Sequence, residues 1–236
     1  MLTSLELTGR ARSHVQENPD LGCVIHRDAG AALRELRAAA RADGIELEIV
    51  SAFRPFERQL TIWNEKYLGI RPLLDRHGNP LDASRLDERA RVEAILVWSA
   101  LPGASRHHWG TDIDVIDRSA VEASYRPRLT RSEFAAGGPF ERLDAWLAGH
   151  AERFGFFRPY TSDRGGVQPE PWHLSYAPIA VPALAALTVE LLAETIASSA
   201  MQGREQVLAR LEEVYERYVR SVDSPRPGFS PTTRPA

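Results

Sequence analysis

Cysteine is nearly absent from this chain: Cys23 is the only one in 236 residues. A single thiol excludes an intrachain disulfide and cannot build a thiolate metal site, so any metal would have to be held by His, Asp and Glu. Excess charge of one sign is absent too. The formal net charge is −3 and the pI about 6.2, without the basic footprint of a nucleic-acid binder or a polybasic membrane patch. No nucleic-acid partner is expected. Arg126, Arg128 and Arg131 form a small, interrupted cluster that reads as a solvated loop. Long apolar runs are missing as well. The most apolar stretch, 179–200, is broken by Glu190 and Glu194, which argues against a membrane span. The opening Met1-Leu2-Thr3-Ser4-Leu5-Glu6 has no basic segment leading into an apolar core. The expectation is a cytoplasmic protein as the sequence stands, with a periplasmic or secreted one, exported by another route or from another start site, as the alternative. Internal repeats are absent.

What is present fits one larger globular unit: 43% hydrophobic and 26% charged residues. Leu33, Leu36 and Ala40 recur at helical spacing, predicting a helix over 29–43 capped by Gly44. Ile45 to Ser51 alternates as a half-buried strand. Pro55 then starts a helix to about Leu68, leaving Arg54 at the junction. Leu21–Ile25 and Trp172–Tyr176 are short strand candidates, and Phe156–Tyr160 looks extended. Ser84 is the expected cap of a helix running to about Ser99, and Phe140, Leu143, Trp146 and Leu147 mark another helix. Helices are expected at 182–199 and 204–222. Strands separated by helices and loops of uneven length favour an α+β fold with a small, mainly antiparallel sheet flanked by helices.

The chemistry concentrates in Ser105-Arg106-His107-His108-Trp109-Gly110-Thr111-Asp112-Ile113-Asp114 and in Glu170-Pro171-Trp172-His173. A catalytic zinc commonly takes three protein ligands and leaves a fourth position for water. His107, Asp114 and His173 supply two nitrogens and an oxygen, with Gly110 allowing the turn between the first two. Glu170 is the candidate base. Pro169 and Pro171 oppose a helix there, so a bend at Pro171 is required to bring Glu170 beside His173. Arg54 would steady an oxyanion or a substrate carboxylate, with Ser51 and Ser105 adding hydrogen bonds. Against this stands the plainer reading. A lone His–Asp pair is ordinarily structural, and a lone arginine is ordinarily a surface or capping residue. Trp109 and Trp172 are expected to pack in the core.

Taken in order, Ser51-Ala52-Phe53-Arg54-Pro55-Phe56-Glu57-Arg58-Gln59, Ser105-x-His107-x-x-Gly110-x-x-x-Asp114 and Glu170-x-Trp172-His173 resemble the motifs of the VanY-type D-alanyl-D-alanine carboxypeptidases. That family sits in a wider zinc peptidase group with lysostaphin-type enzymes and the Hedgehog signalling domain. The resemblance covers about residues 29–178. It implies one zinc ion held by His107, Asp114 and His173, Glu170 as catalytic base, and Arg54 as the substrate and transition-state arginine. Ser51, Gln59 and Ser105 fall at substrate-side positions. Asp112 departs from the pattern, standing where the family commonly has a small apolar residue. Sharing a strand face with Asp114, it is a further substrate-binding candidate, a partner for an arginine, or a support for a ligand histidine.

The implied fold is Hedgehog/DD-peptidase-like: a zinc peptidase domain over 1–178, a helical extension over 179–222 packed on it, and a disordered tail over 223–236. The implied activity is a zinc metallocarboxypeptidase acting on peptidoglycan stem peptides or muropeptides. The alternatives are an endopeptidase acting on the same polymer, or a zinc-stabilised module that binds cell-wall peptide without cutting it.

Overall fold

The structure is a computed structural model that describes residues 1–226. A one-turn helix α1 (Ser4–Leu7) is closed by a Thr3/Glu6 capping box. It leads to a hairpin of β1 (Val15–Asn18) and β2 (Cys23–His26). Helix α2 (Ala29–Ala42) ends where Gly44 takes φ +74°, the left-handed conformation that glycine reaches without steric cost. Strand β3 (Leu47–Ser51) and helix α3 (Phe56–Tyr67) follow, with Arg54 between them. The two-residue strands β4 (Leu73–Leu74) and β5 (Pro80–Leu81) pair with each other. Helix α4 spans Glu88–Leu96. Its cap is Asp87, whose side chain accepts from Ala90 N–H, and not Ser84, which lies in a separate 3-10 turn. Asp87 is the better placed of two good capping residues because helical geometry begins directly after it.

The central strand β6 (Asp112–Asp117) is buried along its whole length. Helices α5 (Arg131–Phe134) and α6 (Glu141–His150) separate it from β7 (Phe156–Phe157) and β8 (His173–Tyr176). The main sheet has the order β3-β6-β8-β7, and every pairing is antiparallel. The register sets Asp114 opposite His173 and Asp112 opposite Ser175. Because side chains alternate along a strand, these four point to one face, while Ile113, Val115 and Leu174 enter a core with α2 and α6.

A second core joins α3 and α4 to the C-terminal helices α7 (Ala177–Ala186), α8 (Val189–Ala197), α9 (Arg204–Leu208) and α10 (Leu211–Val214). Trp63, Ile95, Leu192, Ile196 and Val207 are among its fully buried members. The C-terminal helices differ from expectation. The 182–199 segment is two helices bent by 77°, with Pro182 inside the first and Thr188 capping the second. The 204–222 segment breaks at Arg210, held by Glu93 and Glu213, and ends in a π-helical turn, Tyr215–Arg220. No single helix among the described residues is long and apolar enough to cross a membrane. Asp223, expected in the tail, accepts from Thr161 N–H at 2.9 Å. The remainder of that tail from 227 onward lies outside the described residues.

Candidate active site

His107 sits on a 3-10 turn, Arg106–Trp109, that ends at Gly110 with φ +65°. A Cβ on Gly110 would lie 2.4 Å from Val15 Cγ1 and 2.9 Å from His26 N, so glycine is required by conformation and by space. Arg54 N–H donates to the His107 carbonyl at 3.1 Å, tying the strand-to-helix junction to this turn. Glu170 and His173 are joined by a tight turn, with His173 N–H donating to Glu170 O at 3.1 Å. The bend at Pro171 that the chemistry demands is therefore present, and Glu170 Oε2 stands 3.2 Å from His173 Nδ1.

His107, Asp114 and His173 offer one ligand atom each within 4.8 Å of one another, all buried. Both imidazoles are oriented by their other nitrogen. His107 Nδ1 is 2.9 Å from the Ala52 carbonyl, which turns Nε2 toward Asp114 Oδ2 at 3.4 Å. His173 Nε2 is 2.9 Å from Asp112 Oδ1, which turns Nδ1 toward Asp114 Oδ1 at 3.2 Å. Asp114 Oδ1 is buried and makes no aligned hydrogen bond even to the facing His173 Nδ1, an expensive state unless a cation is received there. Burial opposes protonation of His173, yet Asp112, Asp114 and Glu170 outweigh it and raise its pKa well above the ordinary value. Three carboxylates around one imidazole suit a cation. Two neutral imidazoles and a carboxylate are a donor set for zinc, so the residues fit the metal.

Of the three roles expected for Asp112, substrate binding is corrected, while pairing with an arginine and supporting a ligand histidine are what it does. It is fully buried, and its oxygens accept from Arg106 Nε (2.8 Å), Thr111 Oγ1 (2.6 Å) and Ser175 Oγ (3.0 Å) besides facing His173. Burial alone would raise its carboxyl; Arg106 and then His173 hold it well below the usual range. Gln59 is corrected in the same way. It is fully buried, accepting from Arg54 Nη1 at 2.9 Å and donating to the Ala100 carbonyl at 2.7 Å. Ser51 Oγ accepts from Arg54 Nη2 at 3.1 Å. Both residues hold Arg54, whose own pKa is lowered by burial, Asp114 and Glu170 working against that loss.

Arg54, Ser105, Glu170 and the three ligand residues line one cavity of about 650 Å³. Ser105 Oγ is buried and unpartnered there, so of the three substrate-side candidates it is the one facing the cavity with a free hydroxyl. Trp109 is core; Trp172 is buried against Phe134 but keeps an edge on the cavity. Tyr160, which the sequence places only in an extended segment, joins the site. Its ring packs edge-on against His173 with centroids 5.2 Å apart, and burial pushes its phenol up to about 12, so it stays a neutral donor. An isolated tyrosine in an extended segment gives no sequence signal for that placement. His108 is fully buried beside the site, its pKa driven down to about 3 by burial. It is neutral, with Nδ1 2.6 Å from the Arg54 carbonyl and Nε2 accepting from Gly103 N–H at 3.2 Å.

Comparisons with known proteins place the fold and the motifs in a family. The family model described as VanY, D-alanyl-D-alanine carboxypeptidase, matches residues 23–179. A protein of Haemophilus influenzae is 31% identical over 121 residues, covering 50% of this chain and 92% of its own. A D-alanyl-D-alanine carboxypeptidase of Enterococcus faecalis is 31% identical over 150 residues, 62% of this chain and 46% of that one. Among solved structures, VanYB in complex with D-alanine-D-alanine superposes with a TM-score of 0.51 at 26% identity, covering 77% of this chain and 88% of that one. With the matched span taking in the junction arginine, both histidine motifs and the Glu170 turn, the chain belongs to the VanY D-alanyl-D-alanine carboxypeptidase family.

Proposed function

We propose that this protein is a zinc carboxypeptidase that removes the C-terminal D-alanine from peptidoglycan-type peptides. The observation that carries the reading is the approach of Glu170 Oε2 to within 3.2 Å of His173 Nδ1, at the edge of the three-residue cluster and inside the same cavity as Arg54. A metal-binding module without catalysis needs neither a carboxylate at the edge of its ligand set nor a guanidinium fixed by Gln59 and Ser51. The family membership and the neighbour's D-alanine-D-alanine ligand support the substrate class.

His107 Nε2, an Asp114 oxygen and His173 Nδ1 would hold the ion. When bound, zinc lowers the pKa of water and polarises a carbonyl. The chain's own groups do the rest. Glu170 takes a proton from the attacking water and returns it to the leaving amine. Arg54, held rigid at both Nη atoms, stabilises charge developing on the carbonyl oxygen without reorganising. Ser105 and Tyr160 line the cavity and would orient the peptide. The test is Glu170→Gln: zinc content stays at one per chain while turnover falls by about 10²–10⁴-fold. Full turnover by that variant would reject the role of Glu170.

A further inference from the structure

The loop that reads in sequence as merely solvated forms a wall of the active-site cavity. Arg128 and Arg131 both line it, on the segment between β6 and α6. Two other guanidiniums at the cavity are already committed: Arg106 to Asp112 and Arg76 to Asp163. Arg128 and Arg131 are exposed, and neither has a carboxylate partner among the described residues. Arg126, the third member of the cluster, turns back onto the carbonyls of Ala123 and Ser124 instead.

The loop is braced. Leu129, between the two arginines, has φ +53° and is the one non-glycine residue with positive φ among those described. Such a conformation persists only where the surroundings enforce it, and it clusters at binding sites. Here the enforcing group is Glu133, which is only 6% exposed. Its carboxylate accepts from Tyr125 Oη (2.7 Å), Arg128 N–H (3.0 Å), Thr130 N–H (2.7 Å) and Thr130 Oγ1 (3.0 Å). Phe134, next along, packs on Trp172 at 5.7 Å between centroids, which fixes the wall against the strand carrying His173. A solvated loop needs none of these ties.

We propose that Arg128 and Arg131 form an anion subsite for a side-chain carboxylate on the peptide, N-terminal to the bond that is cut. This rests on the peptidase reading and narrows its substrate class. The cation needed at the reacting end is Arg54, on the separate β3–α3 junction. After a one-residue leaving group, the rest of the peptide extends across the cavity, where two unpaired guanidiniums match a second carboxylate. The favoured substrates are therefore peptides in which a diacid residue precedes the terminal D-alanyl-D-alanine, over those with a neutral or basic residue there.

The test uses two synthetic peptides ending in D-alanyl-D-alanine. One carries a side-chain carboxylate on the preceding residue, and the other carries the matching carboxamide. Their binding to the zinc-loaded Glu170→Gln protein is measured by calorimetry, and their turnover is measured with the native chain. The carboxylate peptide is expected to bind about tenfold more tightly at low salt, with the advantage shrinking as salt is raised. Adding Arg128→Gln and Arg131→Gln should bring the two peptides to within about twofold of each other. Equal or absent binding of the pair, or a preference that survives the double substitution, overturns the subsite. A carboxylate preference in binding without turnover by the native chain would leave the subsite standing and overturn the hydrolase reading.

Discussion

Asp112 Oδ1 stands 2.9 Å from His173 Nε2, and the same oxygen accepts from Arg106 Nε at 2.8 Å. One fully buried carboxylate thus orients a ligand histidine and neutralises an arginine that is only 4% exposed. Asp112→Asn keeps the shape and removes the charge. Zinc affinity should fall by about 10–100-fold, the usual cost of losing a ligand's supporting partner. Stability should fall by about 3 kcal/mol because Arg106 is left buried and unpaired. Competitive zinc titration and urea unfolding measure the two effects. Unchanged affinity would show that Asp112 serves Arg106 alone.

Arg54 is gripped at two nitrogens, by Gln59 and by Ser51. Lysine cannot reproduce that two-point hold. Arg54→Lys should therefore lower kcat by about a hundredfold or more with zinc content unchanged. Steady-state kinetics alongside metal analysis check it.

Gly110→Ala meets two obstacles, the left-handed backbone and the contacts with Val15 and His26 N. The backbone term alone is about 1–2 kcal/mol. The contacts add to it by pushing the hairpin of β1 and β2 off the His107 turn. Reduced thermal stability together with weakened zinc binding is the expected pair of results.

Lys66, the only lysine in the sequence, has its pKa pulled down to about 8 by burial, with Arg71 adding to the effect. A depressed lysine binds fewer protons in the folded chain than in the unfolded one. Its penalty is therefore fully present below pH 8 and is relieved as pH rises from about 8 toward the ordinary value of 10.5. Lys66→Met should raise the urea midpoint at pH 7, with the gain narrowing by pH 10. A gain independent of pH would assign the effect to packing.

Much of this was legible because it depended on local pattern. The Gly44 cap, the alternation through β3 and the placement of Arg54 before Pro55 each need only a few neighbouring residues. The ligand set was legible as spaced motifs, and the Pro171 bend as a stated requirement. What failed to show depends on pairing across the chain. For Asp112 the sequence offered an arginine partner and a ligand-histidine support beside substrate binding, and only the register opposite Ser175 and the arrival of Arg106 decide among them. Gln59 belongs to Arg54 for the same kind of reason. The C-terminal segments looked continuous because apolar spacing carries across a bend, and Thr188 was not recognised as a cap. Arg128 and Arg131 looked solvated because the left-handed Leu129 and the buried Glu133 that aim their loop are features of the folded backbone.

The most direct test of the central claim is mass spectrometry of a defined pentapeptide ending in D-alanyl-D-alanine, incubated with zinc-loaded protein, with the chelated protein as control. The account predicts loss of one D-alanine, abolished by the chelator. Internal fragments, or an intact peptide in the presence of demonstrably bound zinc, would contradict it.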